Sequence, residues 1–194
     1  MTDSTLRFVL LDDNRLTQML KGETHQLLEV NPDGSDGGVI ATIRAGMLHG
    51  TSSQVFYADP EATRPMFGFA GSIMREDFEV VDDTGVVLGS FRKAWKASFL
   101  RSTWELTTSD GLTATGRERN AAAALARRFS DDIPFLVVHF DFVTSDGSLV
   151  FSSVRRRTLR DEYELTVPTL PDGRRLDWRV AASLGAVLEI IQSR

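Results

Sequence analysis

Apolar and polar residues alternate along much of this chain, and the alternation breaks repeatedly at an Asp-Gly turn. Clear copies are FEVVDDTGVVLGSF (Phe78 to Phe91), WELTTSDGLTATG (Trp104 to Gly116) and FLVVHFDFVTSDGSLVFSSV (Phe135 to Val154). LLEVNPDGSDGGVIATI (Leu27 to Ile43) is a looser copy, and VFYADPEATRPMFGF (Val55 to Phe69) keeps the alternation without a turn glycine. A period of two predicts half-buried strands, and Asp-Gly between two such runs predicts a hairpin, because glycine accepts positive φ cheaply. Gly85 and Gly111 are 26 residues apart, and Gly34 and Gly85 are 51 apart, close to two such steps. Gly111 and Gly147 are 36 apart, and the extra ten residues coincide with NAAAALARRF, Asn120 to Phe129. That segment predicts a short inserted helix with Asn120 as its N-cap. With LRFVLL at the start and DEYELTV (Asp161 to Val167) near the end, the count reaches about a dozen strands, which indicates an all-β sandwich or barrel. Alternation also assigns faces. In FLVVHFDFV, Leu136, Val138, Phe140 and Phe142 are predicted inward, and Val137, His139, Asp141 and Val143 outward.

The pattern changes period at the C-terminus. In DWRVAASLGAVLEIIQSR, only Ser183 and Glu189 are polar between Val180 and Ile191. Val180, Leu184, Val187 and Ile191 form one helical stripe, and Ala181, Ala182, Ala186, Leu188 and Ile190 cover most of the rest. A helix that is apolar all round is buried or spans a membrane. Twelve residues rise about 18 Å, well short of roughly 30 Å of hydrocarbon. An interfacial helix would need a polar face, which is absent. The helix is therefore expected inside the protein, with Asp177 near its start complementing the dipole. In an otherwise all-β chain, the place that surrounds a helix is the interior of a barrel, and about twelve strands make one wide enough. Ala181, Ala182, Ser183, Gly185 and Ala186 would let the wall approach closely.

Composition limits the function. At 194 residues, with 42% apolar and 25% charged residues, residues 1–194 read as a single soluble domain. There is no cysteine, which removes disulfides, thiolate metal sites and cysteine nucleophiles. No basic segment precedes a long apolar run at the N-terminus, so no signal peptide is expected, and the chain reads as cytoplasmic and not transmembrane. The net charge is -5 but unevenly spread: residues 1–91 sum to -8, residues 92–128 to +5 and residues 129–194 to -2. An acidic protein with one basic section does not suggest nucleic-acid binding, but it leaves room for a local anion-binding patch.

The repeated φxφxDxxGxxφ hairpins followed by an apolar helix resemble the Tubby C-terminal-like superfamily, which includes LURP-one-related proteins and phospholipid scramblases. The residues carrying the resemblance are FEVVDDTGVVLGSFRKAWKASFLRSTWELTTSDG (78–111), the later TSDG hairpin and DWRVAASLGAVLEII, over Gln26 to Ile191. The resemblance implies a roughly twelve-stranded antiparallel barrel around a central C-terminal helix. It also implies three activities: phosphoinositide binding through basic wall residues, calcium-responsive membrane association, or none yet defined. The chain departs from scramblases in having no palmitoylation cysteine. NPDGSDGGVIAT (Asn31 to Thr42) starts like a calcium loop, but Asp36 stands where glycine is expected and Thr42 where a bidentate Glu is needed. It reads as a plain hairpin loop, and no tubby basic motif matches residue by residue.

Two basic groups remain as candidate sites. Arg92, Lys93, Lys96 and Arg101 form one, and Arg155, Arg156, Arg157 and Arg160 the other. If strands 86–93 and 148–157 run near each other, they make one patch for anionic lipid headgroups or a protein partner, since arginine's fork suits phosphate. The competing reading is a solvated face or charged strand edge. His139 and Asp141 share a face, but no histidine spacing suits a metal, and a structural role is favoured. The motifs GxSxG, GxGxxG and the P-loop are absent, so neither a catalytic residue nor a cofactor is assigned. Trp95, Trp104 and Trp178 read as core or rim anchors. A non-enzymatic binding module is the expectation; a small-molecule carrier barrel and an enzyme with an unrecognised site are the alternatives.

Overall fold

A computed structural model of the chain describes residues 6–12, 24–48, 51–72, 74–94, 103–119, 139–156 and 162–192. Among these, twelve strands and one helix account for most of the chain. The strands are β1 (Leu6–Asp12), β2 (Thr24–Val30), β3 (Asp36–Leu48), β4 (Thr51–Tyr57), β5 (Pro65–Ser72) and β6 (Asp77–Asp82). Then come β7 (Val87–Lys93), β8 (Thr103–Thr108), β9 (Thr113–Glu118), β10 (His139–Val143), β11 (Leu149–Arg155) and β12 (Glu162–Val167). The helix α1 (Trp178–Gln192) closes the chain. Every pairing is antiparallel and links strands consecutive in sequence, except that β1 hydrogen-bonds both β2 and β12. The expected mainly β architecture with one apolar C-terminal helix is observed. The segment expected as an inserted helix, 120–129, lies outside the described residues.

The hairpins follow the sequence. At β6–β7, the Asp82 carboxylate accepts hydrogen bonds from the Thr84 amide at 2.9 Å, the Val86 amide at 2.9 Å and the Thr84 hydroxyl at 2.7 Å. At β8–β9 and β10–β11, Thr108 donates its hydroxyl to Asp110 and Thr144 donates to Asp146. Each turn places its glycine at φ between 85° and 87°, a region that costs other residues strain. The copy that lacks glycine solves the problem differently. Ala62 takes a φ of 54°, and the buried Asp59 carboxylate holds the loop by accepting from Thr63 at 2.8 Å and Arg64 at 2.7 Å. The weak sequence signal was thus a real hairpin with another fastening.

Strands that alternate in direction put all these turns at one end of the sheet. The Leu170–Arg174 turn joins them, packed beside the β8–β9 and β10–β11 turns. Asp33, Asp82, Asp110 and Asp146 are held below the usual carboxylate range chiefly by side-chain hydrogen bonds from Ser35, Thr84, Thr108 and Thr144. Asp59 and Asp172 are held there chiefly by backbone amides, of Thr63 and Arg174.

Faces follow the alternation. Phe140 and Phe142 are buried, whereas His139, Asp141 and Val143 are only partly so. Inward aromatic rings meet across neighbouring strands: Phe56 on Phe67 at 4.2 Å, Phe78 on Phe91 at 5.5 Å and Phe142 on Phe151 at 5.7 Å. Trp104 is buried in this core, and Trp178 meets Phe67 edge-on at 5.2 Å. Trp95 lies outside the described residues.

Helix α1 is buried at every position from Val180 to Glu189. It touches β1 and β12, and also β5, β6 and β7. Asp177 caps it, accepting the Arg179 amide at 2.9 Å. Close approach explains the small residues: a Cβ on Gly185 would lie 2.6 Å from Leu165 Cδ1 on β12. Burying Val180, Leu184, Val187 and Leu188 contributes about 1.5–3 kcal/mol each, a sum comparable with the whole stability of a domain.

Two outcomes follow. Leu184→Asp places an unpaired charge at a fully buried site and should abolish the soluble fold; Gly185→Val should lower stability by about 1–3 kcal/mol through overpacking against Leu165. Soluble yield and urea unfolding check both, and a Leu184→Asp variant as stable as the parent would remove the helix from the core. Acid dependence is the second. The six turn carboxyls have folded pKa values below their unfolded value near 3.9, so between these values the unfolded chain binds more protons and stability rises with pH. The urea midpoint should be flat above about pH 5 and fall as pH drops through the folded values. Joint replacement Asp82→Asn, Asp110→Asn and Asp146→Asn should flatten that fall.

Candidate functional site

The end of the sheet opposite the Asp-Gly turns carries Arg92, Lys93, Arg155 and Arg156, the described members of the two basic groups singled out from the sequence. Strands β7 and β11 run in the same direction, so Arg92 and Lys93 finish at the same end as Arg155 and Arg156. They are not neighbours, because β8, β9 and β10 lie between them. At about 4.8 Å per strand, the two groups are roughly 19 Å apart along the sheet. The described members of the two groups thus share one end of the sheet without lying on adjacent strands, so the condition for a single patch is not met by them. Lys96, Arg101, Arg157 and Arg160 lie outside the described residues.

Each described cation has its own setting. Arg92 points outward, directly opposite Asp77 on β6 and Glu105 on β8. Its Nε and Nη2 both reach Glu105 Oε2 at 2.8 Å. Lys93, one position on, turns inward and meets Glu76 at 2.7 Å with both side chains largely buried. Arg155 is partly buried opposite Tyr163. Arg156 is enclosed by carboxylates, at 3.2 Å from Asp36, 3.2 Å from Glu164 and 4.0 Å from Glu162. Neither Lys93 nor Arg156 therefore offers an exposed cation.

Two arginines that sequence reasoning missed stand at the same end. Arg75, in the turn from β5 to β6, lies 3.5 Å from Asp77. Arg119, just past β9, grips Asp141 with two bonds of 2.6 Å and reaches Ser152 at 3.3 Å. Burial pushes the Asp141 carboxyl up, but the bonds from Arg119 and Ser152 outweigh it and hold the group below its ordinary value. Asp141 is thus engaged chiefly by Arg119, with His139 contributing at longer range. The signal for Arg119 was in the register, since outward Asp141 pairs with Arg117 in TGRER and sits diagonally from Arg119.

An open groove of about 670 Å³ runs across the outer wall, lined among others by Ser72, Arg75, Glu79, Arg92 and Glu105. On the inner face, His25 approaches Glu189 of α1 at 3.9 Å, both nearly buried. Among the described residues no group of three or more His, Asp or Glu is placed to hold a metal ion, and no helix is long and apolar enough to cross a membrane. The arrangement offers paired charges on an outer surface. No protein-family model matches the chain, and no curated protein does.

The buried Lys93–Glu76 pair gives a prediction. Lys93→Met leaves Glu76 buried without its cation and should cost about 3 kcal/mol in urea unfolding, whereas the double change Lys93→Met with Glu76→Leu should recover much of it.

Proposed function

We propose that this chain is a non-enzymatic binding module of the Tubby C-terminal-like kind, a closed barrel around its last helix, which docks on anionic phospholipid headgroups. Docking uses the end of the sheet that carries Arg75, Arg92 and Arg119. The barrel reading draws on the pairing of β1 with both β2 and β12 and on the burial of α1 on all sides. A carrier barrel fits less well, because the helix and the inward aromatic rings occupy the space a cargo would need.

One observation carries the lipid reading: the guanidinium groups stand further out than the carboxylates they pair with. Side-chain exposure is 77% for Arg75 against 45% for Asp77, 71% for Arg92 against 47% for Glu105, and 52% for Arg119 against 25% for Asp141. An approaching phosphate meets cations first. Exposed pairs such as Arg75–Asp77 and Arg92–Glu105 hold only about 0–1 kcal/mol, so a phosphate can replace or share the carboxylate there. Each arginine near an anionic surface adds roughly 1 kcal/mol, which weakens with salt.

Flotation with vesicles tests it. The protein should float with phosphatidylcholine vesicles containing phosphoinositide and remain behind with phosphatidylcholine alone. The joint change Arg75→Glu and Arg92→Glu should weaken flotation at least about tenfold, as should raised salt. Flotation that does not depend on the anionic lipid would end the reading.

A further inference from the structure

We infer that Met74 to Glu76, between β5 and β6, form an apolar anchor for that interface, with Met74 entering the boundary between headgroups and acyl chains. The inference rests on the lipid-docking reading and adds to it a contact that is not electrostatic.

The first observation is strain. Among the described residues only Ala62 and Glu76 are non-glycine residues with positive φ, and Glu76 sits at 50°. Ala62 is explained by the Asp59 loop. A left-handed non-glycine residue is strained and persists only when its surroundings enforce it. Here Lys93 enforces it twice. Its amide donates to the Glu76 carbonyl at 2.8 Å, and its ammonium lies 2.7 Å from the Glu76 carboxylate. The Arg75 amide adds a bond to Ser72 Oγ at 3.2 Å. Arg75 and Glu76 are therefore held in place from backbone and side chain together.

The second observation is what that shape presents. Met74 is 85% exposed, more than any other large apolar residue among those described. A lone exposed methionine on a loose loop needs no explanation. This one stands on a turn whose strain is enforced by a buried ion pair. Arg75 follows it in sequence, projecting its guanidinium past Asp77. An apolar tip beside an outward cation is the pairing that suits an anionic bilayer: the thioether enters the apolar boundary while the guanidinium stays at the phosphates. A pre-formed turn loses little conformational freedom on docking, so a small contact contributes fully.

Because the chain has no cysteine, Met74→Cys gives a unique attachment point for an environment-sensitive dye such as NBD. With vesicles containing phosphoinositide, dye at position 74 should brighten and shift to the blue. Dye on Val86→Cys, in an exposed turn at the opposite end, should not change. Unlabelled Met74→Ser should float about tenfold more weakly at an unchanged melting temperature. If the parent floats and Met74→Ser floats equally well, or dye at 74 stays unshifted, the anchor is wrong and the docking reading stands. A shift at position 86 instead would overturn the anchor by placing the opposite end on the membrane. If the parent does not float with anionic vesicles, both readings fall.

Discussion

The structure depends on one constraint: a helix that is apolar on every side must be surrounded. An α-helix satisfies its own backbone hydrogen bonds, so it can be enclosed entirely, provided that its side chains bring no unpaired polar groups with them. From Val180 to Glu189 every residue is buried, and strands from β5–β7 and from β1 and β12 reach it. This dictates the inner face of the sheet. Where the helix is thin, the wall comes in, as Leu165 does against Gly185. Elsewhere paired aromatic rings such as Phe56 and Phe67, or Phe78 and Phe91, fill the distance. The polar residue near the end of the helix, Glu189, is met by His25.

The helix also explains why the two ends of the sheet differ. Its N-terminus emerges from the Leu170–Arg174 turn at the Asp-rich end, and its positive dipole end is capped by Asp177. Asp82 and Asp83 add negative charge near Arg179 in the first helical turn. The turn carboxylates at this end are committed one by one. Asp33, Asp59, Asp82, Asp110, Asp146 and Asp172 each bind amides or hydroxyls of their own turn. Their negative charge is thus a consequence of the hairpin repeat and does not call for a ligand.

Much of the fold was legible because its signals are local. Strand periodicity, Asp-Gly turns and the change of period at Asp177 each depend on residues a few positions apart, and each led to the observed element. The turn at Asp59 was the weakest because its fastening is a buried side chain and not a glycine. The candidate site was far less legible because it depends on strand order. Arg92 and Arg156 look equivalent in sequence, as basic residues closing strands in the same direction. The register separates them, leaving Arg92 between two exposed carboxylates and Arg156 enclosed by three. Lys93 looks like a companion of Arg92, yet one step along a strand turns it to the opposite face. Arg119 carried no signal until the neighbouring strand supplied Asp141, and Arg75 gained meaning only once strand order placed its turn at the same end.

Counting cations is therefore a poor guide to an anion site here, and their reach is a better one. A paired arginine enclosed by several carboxylates, like Arg156, has donors already committed, and desolvating it again for a phosphate would leave three acids behind. A paired arginine that projects beyond its carboxylate, like Arg75, presents its guanidinium to solvent, and an exposed pair of this kind holds only weakly. The same ion pair can thus fix a side chain in place and leave it available. That combination is found at the end where the turn holding Met74 is pinned by Lys93, so rigidity and exposed charge occur together at the surface the fold has not used for its core.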